Sequence, residues 1–346
     1  MTTGALDRKG VNSHPDGGGE SKTTGASDKW RRLIISFGPL VALGVLCIVF
    51  SIIAPKFATG SNVMAIIQQA SIPIVLAMGA TLVILVGGID LSIEGVMAAS
   101  GLTFALLVAN SVNGNNLGFA ALIIALLVGV AFGLLNGVIH AKGRIPSFLV
   151  TLGTWFIGLG VATVLFGTTT PQISDPTFVS WARQSWLGIP VVVVFAIGAV
   201  VVTTVLCKWT RFGIQTYAIG GDEAISRVAG IPVARVKIAL FVLAGLFSAL
   251  GGILATIRLG VGEVGVGDGN LFLTLSAVVV GGTLLSGGRG GPLHSVVGVL
   301  LLIVLGNGLL LSGANPYVQQ GAQGLIIVLA VIATGWPARK RLRIVK

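Results

Sequence analysis

Two carboxylates interrupt a long apolar sequence, and they are the residues best suited by type and position to a functional role. Asp90 and Glu94 are the only acidic residues in the stretch 29–174, and both follow a Gly-Gly pair. An ionisable group at membrane depth costs about 2.5–3.5 kcal/mol on insertion scales, so it is by default a functional candidate. In one interpretation the interruption lines a water-filled path, where Asp90, Ser92 and Glu94 meet a hydroxylated substrate. In the other, Asp90 caps the N-terminus of the next helix with help from Ser92.

A similar interruption occurs in the second half of the chain. The segment 86–92 (VGGIDLS) resembles 280–286 (VGGTLLS), and each precedes an Asn-Gly pair inside an apolar run. Glycine-broken segments at matching positions of two halves are typical of transporter pathways. Chance similarity between glycine-rich apolar segments is the alternative. The candidate substrate-path residues are Asp90, Ser92, Glu94, Asn136 and Asn307.

The polar segment 208–237 carries the signals of a short helix. Asp222 follows a Gly-Gly pair and is a good N-cap, whereas Gly230, two residues before a proline, ends a helix. Glu223 at the start and Arg227 near the end suit the helix dipole. A short capped helix of this kind is a natural docking element on the cytoplasmic face. An ordinary connecting loop is the alternative.

Membrane-spanning helices must position these residues. The 346-residue chain is 54% hydrophobic and 10% charged, against about 25% charged in soluble domains, and its mean hydropathy is +0.98. Water cannot solvate so much apolar surface, so the sequence predicts an all-α, polytopic membrane protein with about ten transmembrane helices. The predicted spans are 33–53, 66–86, 93–109, 119–139, 147–167, 189–206, 238–257, 271–285, 296–311 and 321–336.

The basic residues predict the orientation of these spans. With a cytoplasmic N-terminus, 19 of the 22 Lys and Arg residues fall in segments on the inner side. This asymmetry follows the positive-inside rule and places both termini in the cytoplasm. The predicted organisation is a disordered cytoplasmic tail over 1–30, a transmembrane domain over 31–337 and a basic cytoplasmic tail over 338–346. Since the basic residues border apolar segments, the net charge of +11 does not indicate a nucleic-acid partner.

Several motifs of enzymes are absent from the sequence. It contains no phosphate-cradling G-x-x-x-x-G-K-[ST] loop, no metal-ligand spacing and no G-x-S-x-G elbow. We therefore expect no catalytic residue, no metal and no cofactor, and the chain is not predicted to be an enzyme. A membrane-embedded transferase would need an acidic or histidine cluster at one membrane face, and an ion-coupled transporter would need more charge within the spans. The predicted outer segment 168–188 is either a contact for an external partner or a plain loop.

Four stretches carry a family resemblance and occur in the family's order over roughly residues 33–336. They are GGIDLSIEGVMA (87–98), RIPSFLVTLGTWFIGLG (144–160), YAIGGDEAISRVAGIPVARVK (217–237) and VVVGGTLLSGGRGGPLHSVVGVLLL (278–302). As a set they resemble the ribose/xylose/galactose-type permeases of bacterial ATP-binding-cassette importers.

The resemblance implies a passive conduit for a monosaccharide in the bacterial plasma (inner) membrane. The permease domain would pair with a second permease copy or homologue. Two cytoplasmic ATPase subunits would bind the ATP, and an extracytoplasmic sugar-binding protein would deliver the substrate. The resemblance also implies an ATPase-docking helix, whose candidate coupling residues are Asp222, Glu223, Ala224, Arg227 and Gly230.

The sequence departs from the family pattern at several of these positions. Glu94 and His294 stand where the family usually has glycine, Asp222 replaces a common Asn, and 225–226 (Ile-Ser) replaces an Ala pair. These departures leave open which sugar is carried and how closely the coupling contact follows the family. A branched-chain amino acid or nucleoside permease of the wider superfamily is an alternative, although the segment 90–92 (DLS) is more similar to the carbohydrate branch.

Overall fold

A computed structural model describes residues 24–186 and 188–315, together with seven positions between 317 and 328. Residues 24–37 are described by their backbone alone. Residues 1–23 of the predicted N-terminal tail and the whole predicted C-terminal tail lie outside the described residues. The first helix begins at Thr24, which is earlier than the predicted tail boundary at residue 30.

The described residues form twelve α-helices, one 3₁₀ turn and one small hairpin. The helices are Thr24–Ile53 (α1), Gly60–Leu85 (α2), Ile93–Leu107 (α3), Phe119–Gly143 (α4), Ser147–Phe166 (α5), Pro176–Arg183 (α6), Val191–Trp209 (α7), Arg211–Gly221 (α8), Glu223–Val228 (α9), Val233–Leu259 (α10), Asn270–Val280 (α11) and Pro292–Leu311 (α12). The strands Ser185–Trp186 (β1) and Ile189–Pro190 (β2) pair antiparallel, and the 3₁₀ turn is Val264–Gly267.

The chain is a polytopic all-α membrane protein. Within the described residues, six helices are long and apolar enough to cross a bilayer: α2, α4, α5, α7, α10 and α12. Three shorter apolar helical segments, Gly38–Ile53, Ile93–Leu107 and Val264–Val280, correspond to the other predicted spans before residue 312. The predicted span 321–336 falls largely outside the described residues, so the count of ten remains a prediction.

One end of the helix bundle, here called the inner end, gathers the connections 86–92, 143–146, 210–232 and 281–291. The backbone amide of Gly288 donates to the carbonyl oxygen of Leu85 at 2.9 Å. The Ile89 amide donates to Ser147 Oγ at 2.9 Å. These are the connections that the charge pattern places on one side of the membrane.

The opposite end, here called the outer end, gathers 108–118, 167–190 and 260–263. The Ser111 amide donates to the Gln172 carbonyl at 3.0 Å, and the Ile173 amide donates to the Gly260 carbonyl at 2.9 Å. The outer segment also contains α6, which is capped by Asp175 and was not predicted. Connections therefore alternate between the two ends, as the predicted spans require.

Helix α10 lies at the centre of the bundle, between α4, α2 and α3. It approaches α4 so closely that a β-carbon at Gly129 would overlap the carbonyl oxygen of Gly245. Small residues at helix crossings allow this backbone contact, and the resulting dispersion contacts drive helix association in a bilayer. The 51 glycines of the sequence make such faces available.

The apolar helices α3 and α11 are too short to cross a bilayer alone. At 1.5 Å per residue, α3 (15 residues) and α11 (11 residues) span roughly 22 and 16 Å, whereas a hydrocarbon core is about 30 Å thick. Helix α3 follows the first glycine interruption, and α11 precedes the second. The chain therefore contains two half-helices whose N-termini lie within the bundle, a feature of transporter folds.

Candidate functional site

The segment 89–92 has no regular secondary structure and runs from the inner end along α5. Ser147 Oγ accepts from the Ile89 amide at 2.9 Å, and Thr151 Oγ1 accepts from the Leu91 amide at 2.9 Å. Residues four apart on a helix lie on one face, so two hydroxyls of α5 replace the missing partners of an unwound backbone. The segment thus carries Asp90 into the bundle.

Asp90 belongs to a buried chain of hydrogen bonds that joins three elements. Its Oδ1 accepts from the Ser92 amide at 2.8 Å and from the Ser92 hydroxyl at 2.6 Å. The Ser92 oxygen accepts from Asn136 Nδ2 of α4 at 3.0 Å, and Asn136 Oδ1 accepts from Thr154 Oγ1 of α5 at 2.7 Å. All four residues are at most 2% exposed. The network fixes the interruption against α4 and α5.

This geometry corrects the predicted capping role of Asp90. The N-cap residue of α3 is Ser92, which makes no side-chain cap bond, and Asp90 binds the amide of Ser92 itself. The hydroxyl of Ser92 is already directed to the Asp90 carboxylate and is not free to cap α3. Asp90 therefore stabilises the segment that precedes α3 and does not bind the first turn of the helix.

Glu94 lies deeper and caps a different helix. Its carboxylate Oε1 accepts from the backbone amide of Leu271 at 2.9 Å, at the N-terminus of α11. The next residue, Gly95, packs so closely on α5 that a β-carbon at Gly158 would lie 2.5 Å from the Gly95 carbonyl carbon. Gly158 is about 16 Å along the roughly 30 Å length of α5, which places Glu94 near mid-depth.

The structure joins three of the five predicted path residues in one network and places Asn307 far from them. Asp90, Ser92 and Asn136 share one network, and Glu94 lies two residues beyond Ser92. Asn307 is instead at the outer end, where its amide exchanges two hydrogen bonds with Asn62 of α2, at 2.9 and 3.0 Å. The two Asn-Gly pairs of the sequence therefore occupy unlike environments.

The short helix predicted after Asp222 is present as α9. Asp222 Oδ1 accepts from the Ile225 amide at 2.9 Å, and Gly230, with φ of +80°, follows the helix C-terminus. The side of α9 that faces away from the bundle exposes Ile225 and Val228, which are 67% and 92% exposed. The coupling role of this helix stays a prediction.

One ion pair attaches α9 to the base of α10, and a second lies within α9. Glu223 contacts Arg227 at 2.6 Å and Lys237 of α10 at 2.7 Å. Burial alone raises the pKa of Glu223, but the hydrogen bonds and charges of Lys237 and Arg227 outweigh it and leave the pKa below its ordinary value. Beside the helix lies a cavity of about 280 Å³ that Glu223, Arg227, Lys237 and Arg144 line.

Comparison with known proteins decides the family. Residues 62–331 match the family model described as "Branched-chain amino acid transport system / permease component". This chain belongs to that family.

Three similar curated proteins are named for the transport of a sugar. It is 37% identical over 298 residues to the ribose import permease protein RbsC of Bacillus subtilis (strain 168), covering 85% of this chain and 91% of the relative. It is 37% identical over 299 residues to RbsC of Escherichia coli (strain K12), with the same coverage. It is 34% identical over 315 residues to the L-arabinose transport system permease protein AraH of that strain, covering 89% and 92%. No solved structure matches this chain at a significant level.

Sequence reasoning missed the hydroxyls by which α5 holds the interruption of this permease-family chain. Ser147, Thr151 and Thr154 follow one another at intervals of four and three residues, the spacing of one helix face. A polar stripe on an otherwise apolar span is a signal for a buried polar contact. Mean hydropathy, from which the spans were predicted, does not show this stripe.

Proposed function

We propose that the chain is the membrane-spanning subunit of an ATP-driven importer for a monosaccharide. The observation that carries the proposal is the pair of half-helices inside the bundle, with Glu94 bound at the N-terminus of α11 and Asp90 buried in the segment before α3, in a family member similar to ribose and arabinose permeases. Discontinuous helices of this kind form substrate sites near the midplane of transporters.

The occupied N-terminus of α11 favours a neutral substrate over an amino acid. A half-helix N-terminus attracts an anionic group, and in some transporters it binds the carboxylate of the substrate. Here Glu94 takes that position on α11, with Asp268 nearby, and Asp90 lies directly before α3. A second carboxylate would meet like charge, whereas the hydroxyls of a sugar can donate to these oxygens. The alternative of a branched-chain amino acid substrate is correspondingly disfavoured.

Unused hydrogen-bonding groups lie on the neighbouring elements. Among the described residues, the buried Trp155 Nε1 of α5 and Thr274 Oγ1 of α11 have no hydrogen-bond partner. Buried polar groups generally find partners, so such groups are candidates for binding a ligand. A polyol offers both donors and acceptors and could pair with both groups.

The remaining parts of the proposal concern topology and partners. We place about ten spans in the plasma (inner) membrane of a bacterium, with both termini in the cytoplasm. The partners are two ATPase subunits at α9, an extracytoplasmic sugar-binding protein at the outer end and a second permease. The basic inner connections support this orientation.

Uptake by cells tests the substrate class. A strain that lacks this gene should lose uptake of one radiolabelled monosaccharide among D-ribose, L-arabinose, D-xylose and D-galactose, and the wild-type gene should restore it. Uptake of L-leucine should be unchanged. Loss of leucine uptake with every sugar unaffected would overturn the proposal in favour of the amino acid alternative.

A further inference from the structure

Three glycine-bearing segments from distant parts of the chain meet at the inner end. They are the C-terminus of α2, the C-terminus of α8 and the loop 281–291 that follows α11. The Gly288 amide donates to the Leu85 carbonyl at 2.9 Å, which ties the loop to α2. The Tyr217 hydroxyl of α8 donates to the Gly290 carbonyl at 3.0 Å, which ties the same loop to α8.

Gly220 of α8 is closely packed against the other two segments of this junction. A β-carbon there would overlap the Leu85 carbonyl oxygen and would lie 2.5 Å from the Gly288 amide nitrogen. Both neighbours are backbone atoms, which cannot turn aside as a flexible side chain can. The next residue, Gly221, has open space at the corresponding position. The contact is therefore specific to Gly220, and it joins backbone to backbone.

The position of this junction links the two functional regions of the chain. Only Asp222 separates α8 from α9, so a displacement of α9 acts directly on the C-terminus of α8. Leu85 directly precedes the interruption that holds Asp90, and the loop 281–291 directly follows α11, whose N-terminus binds Glu94. A small displacement can switch a closely packed junction between discrete arrangements because packed interfaces are not continuously deformable.

We propose that Tyr217 and Gly220 are positioning residues that transmit a displacement of α9 to both glycine interruptions. This inference rests on the proposed function, since it takes α9 as the contact with the ATPase. Neither residue touches the substrate or the ATPase. Their role is to make the two half-helices move with α8.

The test uses the complete transporter, with its ATPase and binding-protein subunits, and two alanine variants. Gly220→Ala should assemble with the ATPase and retain basal ATP hydrolysis, but sugar taken up per ATP hydrolysed should fall about tenfold, a usual size for allosteric coupling. Gly221→Ala, one residue away, should match the wild type. Tyr217→Phe keeps the ring and removes only the bond to Gly290, so it should cause a smaller loss in the same direction.

Hydrogen exchange in the isolated permease separates this inference from the proposed function. Gly220→Ala and Tyr217→Phe should accelerate amide exchange in 84–92 and 284–291, whereas Gly221→Ala should not, and the outer segment 108–118 should not change in any variant. Equal uptake per ATP and equal exchange in all variants would overturn the inference. If the wild type carries no sugar but the exchange pattern is as stated, the junction stands and the proposed function fails. If Gly220→Ala does not fold, Tyr217→Phe decides by the same two measurements.

Discussion

Replacing Glu94 tests whether α11 is held from another helix. Glu94 is 6% exposed, its carboxylate accepts from the Leu271 amide at 2.9 Å, and Leu271 itself is buried. Glu94→Ala loses a hydrogen bond to a charged group, for which about 1.5–3 kcal/mol is typical. It also leaves a buried amide without its partner. Glu94→Gln keeps the Oε1 acceptor but removes the charge, and charge-assisted bonds are roughly twice as strong as neutral ones. We therefore expect a loss of about 2–3 kcal/mol for alanine and about half of it for glutamine.

The assay is unfolding of the purified chain in detergent, with sugar uptake measured in parallel. A matched control is Glu263→Ala, which removes an exposed carboxylate shortly before α11 and should change stability by less than about 0.5 kcal/mol. Stability should decrease in the order wild type, Glu94→Gln, Glu94→Ala, and uptake should follow the same order. If Glu94→Ala is as stable as Glu263→Ala, the carboxylate does not cap α11 and the argument for a neutral substrate loses its basis.

Three further predictions concern the interruption and α9. Asp90→Asn keeps the shape of the side chain but removes its charge, so the variant should insert into the membrane normally and show lower sugar uptake. Normal uptake at normal expression would mean that Asp90 has a purely structural role. Ser226→Pro removes the hydrogen bond from the Ser226 amide to the Asp222 carbonyl, at a cost of about 3 kcal/mol in a helix interior. The variant should no longer co-purify with the ATPase, although the permease should still form dimers. If the ATPase still co-purifies, α9 is an ordinary connection. Because the pKa of Glu223 lies below its ordinary value of 4.5 in the folded chain, its contribution is present above that pH and lost as the pH falls through the lowered value. Amide hydrogen exchange in 222–230, corrected for the intrinsic rate, should therefore be slower in the wild type than in Glu223→Gln at neutral pH and equal in the two at low pH. Equal exchange at neutral pH would contradict the ion pairs.

The sequence predicted the features that depend on local chemistry. Apolar runs of about 20 residues are helices because a bilayer leaves the backbone no other partner. The helix α9 was predicted because Asp222, Glu223 and Gly230 each act within one turn of their own position. These signals are local, so a single sequence suffices to find them.

Long-range contacts of the site were beyond such reasoning. Glu94 and Leu271 are 177 residues apart, and nothing near either residue indicates the other. Helix α8 was predicted as part of a polar connection because its glycines read as breakers, whereas tertiary contact at Gly220 requires glycine within a helix. Asn307 was grouped with Asn136 by sequence similarity alone, and the fold places it at the other end of the bundle.

The most direct test of the account is ATP-dependent accumulation of a sugar by purified components. Proteoliposomes would hold the permease and its ATPase, with ATP on the ATPase side and the binding protein with a radiolabelled monosaccharide on the other. The account predicts accumulation against the gradient of one pentose or hexose, lost when ATP is omitted and unaffected by excess L-leucine. Accumulation without ATP, or accumulation of leucine in place of every sugar, would contradict it.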